Sequence, residues 1–373
     1  MHRLSENIDL VEQGRLDIPT DADIPSFLLS DGKLANKVNV KRKLSLSDLF
    51  ANYTAAIPQG SLEQNTLDTA QIHMDHIKRI LGMRLATTGV TSSTLQDYVL
   101  QRANEKGRRG KPVSSTTIKK ELGTFGSAWS WAMHAGHVSK PFPKKGLRFP
   151  KETEKPPFQT WSAIEGKISR NQLSDEEQAE LWECLFLTVP QITELLSHIE
   201  ESAFYPYMHP MMTFAAFTGA RRSELMRSRV DDIDLRGETA IIREKKRVRG
   251  RLTTRRVPIS PQLKPVLECW FAIHPGGNFT FCHPSCGQAS KPIAKEQARD
   301  HFKRTLANSK WKVLHGWHIF RHSFCSNCAA AGVDQRVINA WVGHQTEEMV
   351  KRYRHLIPNQ EQAAMQQVFG KPV

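Results

Sequence analysis

The sequence lacks the long apolar runs that membrane-spanning helices require. No stretch approaches the roughly 18 apolar residues needed to cross a bilayer, and the amino terminus has no apolar core of the kind found in signal peptides. It also contains no internal repeat and no low-complexity tract. These absences argue against a membrane or exported protein and predict a cytoplasmic one.

Cysteine is scarce, with six residues in 373, and disulfides are not expected in a chain without an export signal. Two pairs nevertheless have the close spacing that tetrahedral zinc favours, Cys282 with Cys286 and Cys325 with Cys328. Because Cys325 and Cys328 fall inside a helical pattern, we interpret them as small core-filling residues. Structural zinc is the less favoured alternative.

Acidic residues are outnumbered, with 38 Asp and Glu against 52 Lys and Arg, a net charge of +14 and a pI of about 9.6. Such an excess favours a polyanionic partner, because each neutralised phosphate releases condensed counterions. The charge therefore predicts nucleic acid as the partner. A basic but unspecialised surface is the alternative that charge alone leaves open.

The chain is long enough for two or three domains. Residues 1–43 have weak periodicity and are interpreted as an arm or partial domain. Residues 44–143 predict a helical domain, and the basic loop from Lys106 to Lys111 suits a DNA clamp, although a solvated loop is the default interpretation. Its helical stripes are Leu67, Met74, Ile77 and Leu81, stopped by Gly82, and Ile118, Leu122, Phe125, Trp129 and Ala132, capped by Ser114 or Ser115.

Residues 144–187 predict a proline-rich linker followed by a helical insertion, in which Ser174 and Glu177 form a capping box. Residues 188–373 form the second large domain. Two β-rich runs, 239–243 and 256–260, joined by a long basic connection, predict a hairpin, and the rest is mostly helical. The expected fold is therefore mainly α with a small antiparallel sheet.

The stretch from Thr218 to Leu225, TGARRSEL, combines a turn glycine with a charged pair. Arg221 and Glu224 are three residues apart at the start of a predicted helix, so the carboxylate can hold the guanidinium rigid. A fixed guanidinium can grip a phosphate through two parallel hydrogen bonds. Taken alone, an ordinary surface ion pair is the simpler interpretation.

A second motif, WHIFRH, places His318 and Arg321 three residues apart, so that an imidazole and a guanidinium share one helix face. Imidazole exchanges protons near neutral pH, as general acid–base catalysis requires. A basic helix face that contacts DNA backbone is the alternative interpretation of this motif.

A third motif joins Gly343 and His344 to Tyr353, nine residues after the histidine. On one continuous helix these side chains would point to opposite faces, so they can converge only if the helix breaks between them. Thr346 is a plausible cap for a new helix. The basic neighbours of Tyr353 are expected to favour phenolate; a tyrosine packed on the core is the alternative.

Together, these motifs resemble the tyrosine recombinase (phage integrase) family in order and spacing. The resemblance implies a helical core-binding domain and an α+β catalytic domain. It implies as catalytic residues Arg221, a lysine on the hairpin, His318, Arg321, His344 and Tyr353, with Glu224 in support. Lys246 is preferred over the adjacent Lys245 as the hairpin lysine. Residues 1–43 and 158–187 match the family pattern poorly.

The resemblance further implies a site-specific integrase of a mobile element that acts on double-stranded DNA as a homotetramer, with accessory DNA-bending proteins, in the cytoplasm at the nucleoid. Tyr353 would form a 3′-phosphotyrosine without a metal ion, ATP or any other cofactor. Three alternatives stay open: a type IB topoisomerase that relaxes DNA, a zinc-dependent nuclease, and a DNA-binding protein without catalysis.

Overall fold

The computed structural model describes residues 2–20, 22–33, 44–107, 110–151, 156–248, 251–285, 291–343 and 345–356. The chain divides into two compact units, residues 1–153 and 154–373. Each unit buries its own apolar core. Across the ranges just given, no helix combines the length and apolar character that a membrane crossing needs.

The first unit is helical, as predicted. Its predicted stripe at residues 118–132 is buried throughout, whereas Leu67 and Leu81 of the other stripe are only half-buried. Met74 and Ile77 are buried on the helix Gln64–Leu81, which is followed by the cap residue Gly82. Ser114 caps the helix Ser115–His134. The weak periodicity before residue 44 did not predict a helix, but two helices form there. A 2.6 Å hydrogen bond from Asn7 Nδ2 to the Leu28 carbonyl joins them. The helices are α1 His2–Glu12, α2 Ile24–Leu29, α3 Leu46–Ala55, α4 Gln64–Leu81, α5 Ser92–Asn104 and α6 Ser115–His134.

The second unit combines helices with one small sheet. The predicted capping box of Ser174 and Glu177 is present, and Thr188 with Pro190 begins the helix Val189–Ser202. The helices are α7 Trp161–Arg170, α8 Asp175–Trp182, α9 Val189–Ser202, α10 Met208–Thr218, α11 Arg222–Leu225, α12 Leu263–Ala272, α13 Lys295–Leu306, α14 His318–Ala330, α15 Gln335–Val342 and α16 Glu347–Arg354.

The sheet is antiparallel, in the order β1 (Ile233–Asp234), β2 (Thr239–Val248) and β3 (Arg251–Pro258). The predicted hairpin exists, but the expected long connection was wrong, because both strands continue into the basic segment. Backbone pairing resumes beyond an irregularity between Arg243 and Arg247. Backbone hydrogen bonds do not need apolar side chains, so hydrophobic alternation underestimated both strands.

Helix α10 is buried almost all round and packs against α9, α12 and α14. It ends at Gly219, whose φ of 62° lies in the left-handed region that suits glycine. A Cβ atom there would lie 2.9 Å from both Phe324 Cδ1 and Val342 Cγ1. This tight turn brings the residues that follow α10 against α14 and the end of α15.

The predicted break before Tyr353 is confirmed. Helix α15 ends at Val342, and Gly343 adopts a φ of 76°. Thr346 then caps α16, its Oγ1 accepting a 3.3 Å hydrogen bond from the backbone N–H of Met349. Tyr353 therefore lies on a short helix that has its own orientation.

Candidate active site

Arg221 directly precedes α11 and is held by Glu224 at two points. Its Nη1 donates to Glu224 Oε1 at 2.7 Å, and its backbone N–H donates to Oε2 at 2.8 Å. The side chain of Glu224 is only 3% exposed, whereas that of Arg221 is 36% exposed. The carboxylate thus fixes a guanidinium that still faces solvent, which is the preorganisation expected for a phosphate ligand.

Glu224 stays ionised although it is buried. Burial by itself would raise its pKa, but hydrogen bonds and charge from Arg255, and further hydrogen bonds from Arg221, hold that pKa below its ordinary value. Local spacing alone suggested an exposed ion pair between Arg221 and Glu224. The buried carboxylate makes this pair more rigid than an exposed pair would be.

Arg321 and His318 lie on the first turn of α14. Arg321 is buried, and its Nη1 donates a 3.0 Å hydrogen bond to the carbonyl of Gly219, in the turn that precedes Arg221. Burial, followed by the nearby charge of Arg221, lowers the pKa of Arg321 to about 10. The structure therefore brings the two arginines, 100 positions apart in the sequence, into one electrostatic environment.

His318 reaches solvent but shares this environment. Partial desolvation, and then the charges of Arg321 and Arg221, lower its pKa from the ordinary value. The neutral form of the imidazole is therefore favoured at pH 7. A neutral imidazole beside two guanidiniums can accept a proton, although its pKa lies lower than the near-neutral value we expected from sequence.

Tyr353 is 1% exposed and lies in an apolar cluster with Phe158, Cys325 and Ile338. Its hydroxyl receives a 3.0 Å hydrogen bond from Gln335 Nε2 and donates to Gln345 Oε1. Desolvation raises the pKa of Tyr353 to about 12, although the hydrogen bond from Gln335 and the charge of Arg321 act in the opposite direction.

The expectation that basic neighbours favour phenolate was therefore wrong for this arrangement. Adjacent residues on a helix point in different directions. The Arg352 guanidinium lies 3.9 Å from the centre of the Phe158 ring, and its Nε donates to the Pro156 carbonyl at 3.0 Å. Lys351 is exposed. Tyr353 is packed in the core, which was the alternative interpretation of this motif.

The remaining predicted site residues are His344 and the hairpin lysine, Lys246 or Lys245. His344 lies outside the described residues, and so do the side chains of Lys245 and Lys246, although their backbone belongs to β2. The residue before His344 is placed: a Cβ atom on Gly343 would lie 2.5 Å from Glu244 Oε1 and 3.7 Å from Arg221 Nη1. Gly343 therefore lies beside Arg221 and Glu244.

Cys325 and Cys328 pack in the apolar core, as the helical pattern predicted. Cys325 is buried beside Tyr353 and accepts a hydrogen bond from Gln345 Nε2 at 3.1 Å, and Cys328 is half-buried. Cys282 is buried near His274, 3.6 Å from its Nε2, while Cys286 lies outside the described residues. Within the part of the chain that the structure describes, no group of three His, Cys, Asp or Glu side chains could hold a metal ion.

Sequence reasoning missed Arg255 and Glu244. Arg255 is 8% exposed and donates to Glu224 Oε2 at 2.7 Å and to Glu244 Oε1 at 3.2 Å. The alternation of β3 contained the signal, because Val257 and Ile259 are buried and residue 255 shares their face. A buried arginine in that register needs acidic partners.

His322 provides a pH-dependent contribution to stability. Its ring lies 4.5 Å from that of Phe158, and burial, followed by the influence of His318 and Arg352, lowers its pKa to about 3. Between that pH and about 6.5 the folded chain binds fewer protons here than the unfolded chain. The free energy of unfolding is therefore expected to fall as pH falls through this window, by at most about 1.4 kcal/mol per pH unit.

Urea unfolding between pH 7 and pH 4 measures this slope. We expect His322→Gln to flatten the pH dependence, because glutamine does not titrate. His315→Gln, at an exposed position, is the matched control and should keep the slope of the unmodified chain. Equal slopes for His322→Gln and the unmodified chain would contradict the assignment.

Comparison with known proteins agrees with this geometry. Residues 185–360 match the model of the phage integrase family. This match confirms, for residues 185–360, the resemblance to the tyrosine recombinase (phage integrase) family noted from the motifs.

Among curated proteins, the chain is 26% identical over 185 residues to the putative integrase/recombinase y4rC of Sinorhizobium fredii, covering 48% of this chain and 54% of that protein. It is 27% identical over 157 residues to the tyrosine recombinase XerC of Haemophilus ducreyi, covering 39% and 46%. The chain thus matches about half the length of these two relatives.

Among solved structures, the chain resembles the Tn1549 transposon integrase in complex with a circular intermediate DNA. The TM-score is 0.60 at 18% identity, over 87% of this chain and 99% of that one. It also resembles a lambda integrase tetramer bound to a Holliday junction, with a TM-score of 0.55 at 14% identity, over 83% and 80%. These likenesses establish the fold, and the expected mainly helical architecture with a small antiparallel sheet is confirmed.

Proposed function

We propose that this chain is a site-specific DNA recombinase, an integrase of a mobile element that cuts and rejoins DNA through a 3′-phosphotyrosine intermediate on Tyr353. The observation that carries the proposal is the meeting of Arg221 and Arg321 across the Gly219 turn, with His318 in the same electrostatic environment. The charge of Arg221 lowers the pKa of the nearby Arg321, so the two guanidiniums form a site that a bound phosphate would stabilise.

In the proposed reaction the Tyr353 hydroxyl oxygen forms a bond to the scissile phosphorus, and the bond from phosphorus to the 5′-oxygen breaks. Arg221 and Arg321 bind the non-bridging oxygens, and Glu224 keeps Arg221 in position. His318 accepts the phenol proton, His344 donates a hydrogen bond to the phosphate, and Lys246 protonates the leaving oxygen. The reverse sequence rejoins the strand without a metal ion or ATP.

Tyr353 must leave its present contacts before it reacts. Its hydroxyl is buried between Gln335 and Gln345, and a pKa of about 12 means that it is protonated at neutral pH. Proton transfer must therefore accompany attack. The short, separately capped helix α16 is a suitable carrier for this movement, because its break from α15 at Gly343 allows reorientation.

The partner we propose is double-stranded DNA at recombination sites, for which the charge of +14 is suited. A homotetramer would hold two duplexes, by analogy with the lambda integrase tetramer on a Holliday junction. Accessory DNA-bending proteins and a place at the bacterial nucleoid in the cytoplasm belong to the same proposal. Binding is expected to weaken steeply with salt, as for any protein that neutralises many phosphates.

The domain roles are part of the proposal. Residues 44–143, which lie in the first compact unit, would clamp DNA, and residues 188–373 in the second would catalyse. Residues 144–187 would act as linker and helical insertion, and residues 1–43 as an arm. Arg108 and Arg109 of the predicted clamp loop lie outside the described residues.

Covalent capture on DNA tests the function. A 5′-labelled library of nicked duplexes with randomised sequence is incubated with the protein in EDTA, and the products are separated on a denaturing gel. The nick lets the short cleaved fragment diffuse away, so the adduct accumulates. We expect a protein-bound band whose recovered DNA shares a sequence, with the modified peptide containing Tyr353.

The other outcomes contradict the proposal in different ways. Strand cleavage that needs a divalent metal, with no protein-bound DNA, would indicate a nuclease. Adducts without shared sequence, together with relaxation of supercoiled plasmid, would indicate a topoisomerase. Binding without any adduct would indicate a DNA-binding protein without catalysis.

A further inference from the structure

We propose that Arg255 is a positioning residue that fixes both the phosphate-binding arginine Arg221 and the chain leading to His344. This role rests on the proposed function. Arg255 lies on the inward face of β3 and contacts three other elements. Its Nη2 donates to Glu224 of α11 at 2.7 Å, its Nη1 to Glu244 of β2 at 3.2 Å, and its Nε to the Trp341 carbonyl of α15 at 2.6 Å.

Arg255 acts on Arg221 through Glu224. The two oxygens of this carboxylate are divided, since Oε1 accepts from Arg221 Nη1 while Oε2 accepts from Arg255 Nη2 and from the Arg221 backbone. The bond from Arg255 therefore sets the rotation of the carboxylate plane. That rotation decides where Oε1, and with it the Arg221 guanidinium, is held. An ionised carboxylate that is 3% exposed also needs this second cation.

Arg255 acts on the segment before His344 through the end of α15. The Trp341 carbonyl is in the last turn of this helix, where carbonyls have no partner within the helix and a cation is favourable. The hydrogen bond from Arg255 Nε gives the Trp341 carbonyl a partner, and it places a cation at the carboxyl end of the helix. Gly343 follows two residues later, and a Cβ atom on this residue would lie 3.6 Å from Arg255 Nη1. A single guanidinium thus fixes the two chain segments that flank the proposed phosphate position.

Lysine cannot reproduce this arrangement. The three acceptors lie around a planar fork whose N–H groups point in fixed, divergent directions, whereas an ammonium group donates from one atom. Arg255→Lys keeps the charge and shortens the reach, so it should leave the cation in place while releasing at least one of the three elements. The substitution therefore isolates positioning from charge.

The test is a double-mutant cycle in single-turnover cleavage of a nicked duplex carrying the sequence recovered by covalent capture. At saturating DNA, Arg255→Lys should lower the cleavage rate constant by about 10- to 100-fold, the usual cost of losing a group that orients a reacting one. The affinity for DNA should be nearly unchanged, because Arg255 is buried. In an Arg221→Lys background, Arg255→Lys should change the rate by no more than about twofold.

The control is Arg256→Lys, on the exposed face of the same strand, which should cleave like the unmodified chain. If Arg255→Lys does not fold, as judged by thermal unfolding, Glu244→Gln in the same cycle replaces it, with the same loss of additivity expected. Multiplicative effects of the substitutions at 255 and 221, or unchanged cleavage in the single variant, would overturn the role of Arg255 alone. An unmodified chain that forms no adduct would overturn the proposed function, and this role with it.

Discussion

Tyr353→Phe is expected to abolish covalent attachment to DNA and to lower strand transfer by roughly 10⁴-fold or more, as removal of a nucleophile does in other enzymes. The substitution removes a single oxygen atom. The ring can keep its place beside Phe158 and Ile338 in the apolar cluster. Gln335 Nε2 and Gln345 Oε1, already 3.4 Å apart, can bond to each other, so we expect a loss of stability of only about 1 kcal/mol.

The assay is the denaturing-gel capture, with DNA affinity measured in parallel by gel shift. Tyr207→Phe is the matched control, because Tyr207 is also fully buried and its hydroxyl also contacts a side chain, that of His301. We expect the control to form the adduct and both variants to bind DNA. An adduct that persists in Tyr353→Phe would assign the nucleophile to another residue.

Arg321→Lys is expected to slow cleavage by about 10²- to 10³-fold, the usual effect of losing one preorganised donor to a developing negative charge. One guanidinium nitrogen of Arg321 is already committed to the Gly219 carbonyl at 3.0 Å, so the remaining donors would serve the phosphate. A lysine has one nitrogen and cannot do both with the same geometry.

Single-turnover cleavage at saturating DNA measures this effect and separates it from binding. Arg336→Lys is the control, since this arginine is on α15 in the same unit, its side chain is 92% exposed, and it pairs only locally with Asp334. We expect the control to be unaffected. A cleavage rate for Arg321→Lys within about twofold of the unmodified chain would contradict a role at the phosphate.

Much of the fold could be predicted because its signals are local. The stripe of α6 and the cap at Ser114 lie within one segment of 20 residues, and the break between α15 and α16 follows from a glycine and a threonine three positions apart. The pair of Arg221 and Glu224 was also predictable from spacing, since residues three apart meet on a helix. Each of these features needs only neighbouring residues.

The environment of Tyr353 could not be predicted in the same way. Its neighbours in sequence are basic, but its neighbours in space include Phe158, almost two hundred residues earlier, and Cys325. Desolvation by these residues raises the pKa of Tyr353, whereas the charged side chains that flank it in sequence point elsewhere. The alternation of β3 indicated that Arg255 faces inward, but its contacts could not be predicted, because its three partners belong to three different elements.

The contacts of Glu224 and Glu244 have a consequence for the fate of the proposed phosphotyrosine intermediate. Both carboxylates already accept hydrogen bonds from arginine, and the pKa of Glu224 is held low. Glu224 is therefore a weak base and cannot readily deprotonate a water molecule that approaches the ester. The intermediate would therefore resist hydrolysis until a DNA hydroxyl returns to the phosphorus. Because Glu224 and Glu244 are hydrogen-bonded to arginines, the chain would favour resealing of a cleaved strand over its hydrolysis.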